Sequence, residues 1–142
     1  MGLKEEFTNT MNEYDAAVQE VQKNRKFFDG LLGMGTHPGS AACHDTMDRR
    51  VAEICGQAAE SADAGEKAEL VWAVFQAEGS WKGPEYARLM LAAIQRHTLP
   101  LISGLEETDR KELAEWYRKT YPRHKRLPMQ EQVLKALKEQ NK

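Results

Sequence analysis

The chain has 142 residues, of which 41% are hydrophobic and 30% charged, with a formal net charge of −2. That length suits one domain with a core large enough to stand without a metal or disulfide, and the balance is globular rather than disordered. The net charge selects neither nucleic acid nor an anionic membrane, and the longest apolar run, Leu70 to Phe75, falls far below the ~18 residues a membrane span requires. The acidic start Lys4-Glu5-Glu6 does not read as a signal peptide. With only Cys43 and Cys55 available, reduced thiols in a cytoplasmic protein are the simplest expectation. The first 71 residues hold 7 Lys/Arg against 13 Asp/Glu and the remainder 13 against 9, so an acidic half precedes a basic one.

From Lys4 to Leu32, the positions Phe7, Met11, Tyr14, Val18, Val21, Phe28 and Leu32 follow alternating steps of four and three, with Arg25 at the one polar position. This is the a/d seam of a long helix, which either packs into its own bundle or pairs with a second chain. Gly30 to Ser40, with four glycines and Pro38, breaks the helix and carries His37. A second helix is expected from about Ser40 to Ala62, with His44, Met47, Val51, Ile54 and Ala58 on its inner stripe. Asp63 and Glu66 have capping-box spacing for a third helix, whose run Leu70-Val-Trp-Ala-Val-Phe75 is apolar all round and should be the most buried.

The loop Gly79–Pro84 contains Trp81. A fourth helix then places Tyr86, Met90, Ile94 and His97 on one face, with Leu89 and Ala93 beside them, until Pro100 ends or kinks it. Asp109 and Glu112 offer a second capping box before a fifth helix with Leu113, Trp116, Tyr117 and Tyr121 at core spacing. Pro122 stops it, and Pro128 opens a short last helix with Val133, Leu134 and Leu137. No segment alternates with the period of a strand. The expected fold is all-α: a compact bundle of five to six helices with a long N-terminal helix, forming one domain over 1–142. A short stack of helical hairpins is the second architecture.

Two regions could carry function. The first surrounds the start of the second helix: His37, Cys43, His44 and Asp48, with His97 joining if the fourth helix packs alongside. His44 and Asp48 are four apart and share a helical face, so the carboxylate can orient the imidazole, or both can hold one metal. Cys43 in the first turn would feel the positive end of the helix dipole. Against this, His44 begins an apolar stripe, and no established zinc spacing is present. The second region is basic: Arg118, Lys119, Arg123, His124, Lys125 and Arg126 beside Trp116, Tyr117 and Tyr121. Cations among aromatics suit nucleic acid, but they also complement a helix C-terminus.

No catalytic residue and no cofactor is assigned. The leading expectation is a helical protein-interaction or regulatory module, rather than an enzyme, acting as a homodimer or on a protein partner. Its interface candidates are Val18, Val21, Arg25, Trp81, Arg123, Lys125 and Arg126. The alternative is a small-ligand or metal-binding protein with its site at Gly30–Ser40 and the start of the second helix, and nucleic-acid binding through the basic region comes third.

Overall fold

The helical spacing of apolar residues is carried through in the computed structural model, which describes residues 2–32 and 39–138, with side chains for all of these except 24–32, 39–41 and 86. The elements are α1 (Leu3–Leu32), α2 (Gly39–Ser61), α3 (Ala64–Gly79), α4 (Glu85–Ala93), a 3-10 segment (Ile94–Thr98), α5 (Leu99–Ile102), α6 (Glu107–Thr120), a 3-10 turn (Arg123–Lys125) and α7 (Pro128–Lys138). Among the described residues there is no strand, and no helix is long and apolar enough to cross a membrane. The fold is an all-α bundle. His37 and most of the glycine-rich stretch lie outside the described residues, as do the side chains of Arg25, Phe28 and Leu32.

The third helix is the axis of the bundle. Leu70, Val71, Val74 and Phe75 are wholly buried, as an apolar run without a polar face requires. It touches α1, α2, α4, α5, α6 and the 3-10 segment. Its start is fixed by Asp63, whose Oδ1 accepts from the Glu66 amide at 2.9 Å. One contiguous core reaches from Phe7 on α1 to Leu137 on α7.

Most of the described part of the α1 seam is covered within the chain. Phe7, Tyr14, Val18 and Val21 are buried, and α1 packs on α2 and α3. Val18 and Val21 therefore do not present a free dimerisation surface, because the a/d stripe has found its partner in the same molecule.

Two further expectations are corrected. The fourth helix does not run unbroken to Pro100. It tightens at Ile94 into a 3-10 segment, then resumes as α5 with Pro100 in the first turn. Proline has no N–H to offer the Arg96 carbonyl, and that carbonyl instead accepts from the Leu99 amide, one residue nearer. The start of α6 is also earlier than the Asp109–Glu112 spacing suggested. Its N-cap is Glu106, and no side chain caps it. The acidic residues Glu107 and Asp109 in its first turn complement the dipole instead.

Between α3 and α6 lies an aromatic lattice. Trp72 meets Trp116 edge-on at 5.0 Å, and Tyr117 lies 4.8 Å from both Phe75 and Tyr121. The Trp116 ring is pressed so closely to the end of α3 that a Cβ on Gly79 would sit 2.9 Å from it. Trp81, one of the interface candidates, is half-buried against Tyr14, with Nε1 donating to the Pro84 carbonyl at 3.1 Å. It is an anchor for its own loop.

Two substitutions test this architecture. Val18→Asp places an unpaired charge in the core and should cost at least about 3 kcal/mol, seen as a lowered denaturation midpoint with no change in mass. A folded variant that merely lost a dimer would show the seam to be an interface after all. Gly79→Ala should cost about 1–3 kcal/mol by displacing the Trp116 ring, and its near-ultraviolet circular dichroism should change with it.

Candidate functional site

The histidines are drawn to different partners. His44 Nδ1 and Tyr14 Oη share a hydrogen bond of 2.8 Å, linking α2 to α1. Asp48, one turn on, faces the 3-10 segment: Arg96 Nη2 donates to both of its carboxylate oxygens, at 2.8 and 2.9 Å, and His97 Nε2 lies 3.0 Å from Oδ1. The packing thus joins His97 to Asp48, whereas His44 turns to Tyr14 and does not pair directly with Asp48. Arg96 also donates to the Ala93 carbonyl, so this half-exposed cluster ties the last turn of α4 to α2. Among the described residues no group of three or more His, Cys, Asp or Glu is placed to hold a metal ion.

Burial keeps His44 below the usual histidine range, with Asp45 pulling weakly the other way. Burial also pushes the Cys43 thiol above its ordinary value, so the expected thiolate at the helix start is not favoured. Cys43 is the fifth residue of α2, past the first turn where the dipole acts. Cys55 is buried in the core, and its thiol is pushed up to about 12.

The basic region also divides. Arg126 is held: its Nε donates to the Tyr121 carbonyl and its Nη1 to Glu131, both at 3.0 Å. This cation fastens the α6–α7 connection to α7. Arg123 and Lys125 are exposed. The aromatic partners that nucleic-acid binding would need as a stacking platform are engaged in the lattice of α3 and α6, with Tyr117 fully buried.

The strongest concentration of unusual chemistry lies where α3, α4 and α7 meet, and it centres on Glu78. This glutamate falls four residues after Val74 and three after Phe75, on the face that the core buries, and is only 3% exposed. Its Oε2 accepts from Gln130 Nε2 at 2.7 Å. Gln130 is the third residue of α7, and its Oε1 accepts from the Leu127 amide at 2.9 Å. That is the reach-back half of a capping box, and it aims the amide nitrogen at Glu78. The Tyr121 hydroxyl also acts on this carboxyl through a hydrogen bond, while Oε1 and the Tyr117 hydroxyl are buried with no close partner among the described residues. Such groups cost about 1–3 kcal/mol each and ordinarily have a partner.

Burial pushes the Glu78 carboxyl up to about 7, against the opposing pull of Gln130, Tyr121 and the nearby Arg88 charge. Burial first, then the Glu78 charge, raises the phenols of Tyr117 and Tyr121 well beyond their ordinary range. A carboxyl titrating near neutrality can accept a hydrogen bond, donate one, or exchange a proton with something beside it.

Beside it is a cleft of about 340 Å³, lined by Glu78, Tyr121 and Gln130 and, nearer the mouth, by Arg88, Lys125 and Leu89. Two large apolar side chains are exposed among the described residues, Leu89 at 56% and Leu127 at 39%, and both line this cleft. Glu78 is not among the site residues expected from the sequence. The signal was present, because a lone acid sits on the stripe that continues Val71, Val74 and Phe75. The converging Gln130 and Tyr121 come from elements 52 and 43 residues away and carry no local signature.

Comparison with known protein families, curated proteins and solved structures returned no match.

The Glu78 carboxyl makes stability depend on pH in a defined direction. It titrates at 4.5 ordinarily and near 7 in the fold, so between those values the native state holds more protons than the unfolded chain. Unfolding free energy then falls as pH rises from about 4.5 to about 7 and levels off above, by an amount on the order of 3 kcal/mol. Glu78→Gln removes this term. Chemical denaturation of both proteins should show the variant gaining on the wild type across that window, and a constant difference would refute the assignment.

Proposed function

We propose that this protein binds a small molecule in the Glu78 cleft. The observation that carries the reading is the coincidence, in one concavity, of a buried carboxyl with an unpartnered oxygen and the two exposed leucines. A glutamate in a core is destabilising unless something answers it, and a hydrocarbon side chain of similar size would pack there at less cost. Structural need does not account for Glu78, since Gln130 caps α7 through its other atom. Occupancy by a ligand accounts for the acceptor, the apolar rim and the roughly neutral charge of the lining together. Ligand pockets commonly combine such apolar walls with a few converging polar groups, in volumes of about 300–1,000 Å³.

The site differs from the one expected at the start of α2. There the candidate groups are engaged with one another across elements, His44 with Tyr14 and Asp48 with Arg96 and His97. Such pairs support a bracing role.

The test is a ligand-observed NMR screen of small polar compounds, run in parallel on the wild type, Glu78→Gln and Leu89→Glu. Compounds that bind this cleft should compete with one another and lose their saturation-transfer signal in both variants. Glu78→Gln should meanwhile melt no lower than the wild type. Hits that persist unchanged in both variants would place binding elsewhere and sink the reading.

A further inference from the structure

The lining of the cleft is polarised from its floor to its mouth. Deepest in it are the Glu78 carboxyl and the Tyr121 phenol, which hydrogen-bond each other. The phenol oxygen, when it donates to Glu78, still has lone pairs to accept with, and Glu78 Oε1 has no close partner among the described residues. At the mouth are two cations, Arg88 and Lys125, and one acid, Glu85. Arg88 is oriented by donating to the Trp81 carbonyl at 2.8 Å, and Glu85 stands 3.9 Å from it on the same helix. The wall between floor and mouth is apolar, with Leu89, Ala92 and Leu127. A simple cation would meet the floor well but would have to pass two positive charges. A simple anion would suit the mouth but would leave the floor acceptors unanswered. The arrangement matches a molecule with a cationic donor at one end, an anionic group at the other and a hydrocarbon branch.

Resting on the cleft reading above, we propose that the ligand is an amino carboxylate of amino-acid size with an aliphatic side chain. Its ammonium group is held by Glu78 Oε1 and the Tyr121 hydroxyl. Its carboxylate is held by Arg88 and Lys125, and its side chain lies on Leu89 and Leu127. Charge-assisted hydrogen bonds at both ends fix the orientation, and the apolar wall adds area. The charged and titratable groups that act on Glu78 or line its cleft are Arg88 and Glu85 from α4, Tyr117 and Tyr121 from α6 and its end, and Lys125 from the connection to α7, with Arg126 acting on Tyr117. The ligand ammonium requires Glu78 ionised, so affinity rises with pH through about 7 and levels above it.

Isothermal titration calorimetry with three probes tests the proposal: L-leucine for the zwitterion, isoamylamine for the cation alone and 4-methylpentanoate for the anion alone. At about pH 8 leucine should bind at least about tenfold more tightly than either half-ligand, because each half forgoes one charged contact. Glu78→Gln and Lys125→Gln should each weaken leucine by about tenfold or more without lowering the melting temperature. Amine binding equal to leucine would overturn the proposal in favour of a cation, a partner protein's lysine included. Tighter binding of the acid, with affinity falling as pH rises, would overturn it in favour of a protonated Glu78 acting as donor. If none of the three binds while other compounds bind in a Glu78-dependent way, the ligand class is wrong and the cleft reading survives. If no binding depends on Glu78, both fall.

Discussion

The enclosure of α3 is the constraint from which the other packing follows. A helix whose Leu70, Val71, Val74 and Phe75 are all at zero exposure must be covered from several directions, and here six other elements supply the cover. The long α1 turns its apolar seam to this axis and to α2. The aromatic residues of α6 close the far side through Trp116 and Tyr117. The 3-10 segment is fastened by Gln95, which is itself fully buried and donates through Nε2 to the Val74 and Leu91 carbonyls at 3.1 Å each. Once these contacts are made, the last turn of α3 cannot rotate outward, and Glu78 is carried into the interior with it.

That outcome places a titratable group where water would ordinarily be needed. The fold answers half of the demand. Gln130 joins the Leu127 amide to one Glu78 oxygen, so α7 is capped by the same side chain that holds the carboxyl. The Tyr121 hydroxyl also acts on this carboxyl, whereas the second oxygen and the Tyr117 hydroxyl have no close partner among the described residues. Unanswered polar groups reduce stability, and a cleft opens beside them. A structure that carries this cost next to a concavity with an apolar rim is arranged as binding sites commonly are, with local stability given up where an incoming molecule completes the hydrogen bonding.

The ion pairs serve a different purpose. Asp48 with Arg96 and His97, and Arg126 with Glu131 and the Tyr121 carbonyl, both span joints where the helical backbone changes course. One brackets the 3-10 segment, and the other brackets the break at Tyr121–Pro122. Partly exposed pairs of this kind contribute modestly, up to about 1 kcal/mol, but they set orientation at hinges where backbone hydrogen bonding is incomplete. Arg96, His97 and Arg126 are, in the fold, fasteners of these joints.

Helix positions, the burial of Leu70, Val71, Val74 and Phe75, the Asp63 cap, the stop at Pro122 and the start at Pro128 were legible in the residues themselves. Period, capping and the missing proline N–H act within a turn or two of chain, and local order is enough to read them. The start of α6 was misread because a capping-box spacing is necessary for that cap but does not select among neighbouring acids. Which partner Asp48 takes, whether Val18 and Val21 face a second chain or α2 and α3, and where Trp81 turns were decided only by tertiary structure. Each depends on which helices lie side by side, and an amphipathic stripe carries no address. Glu78 lies on the boundary between the two. Its place on the apolar stripe is written in the sequence, but its meeting with Gln130 and Tyr121 is not, because burial and pairing across some fifty residues of chain come from the packing of α3 against α6 and α4, and of α4 against α7.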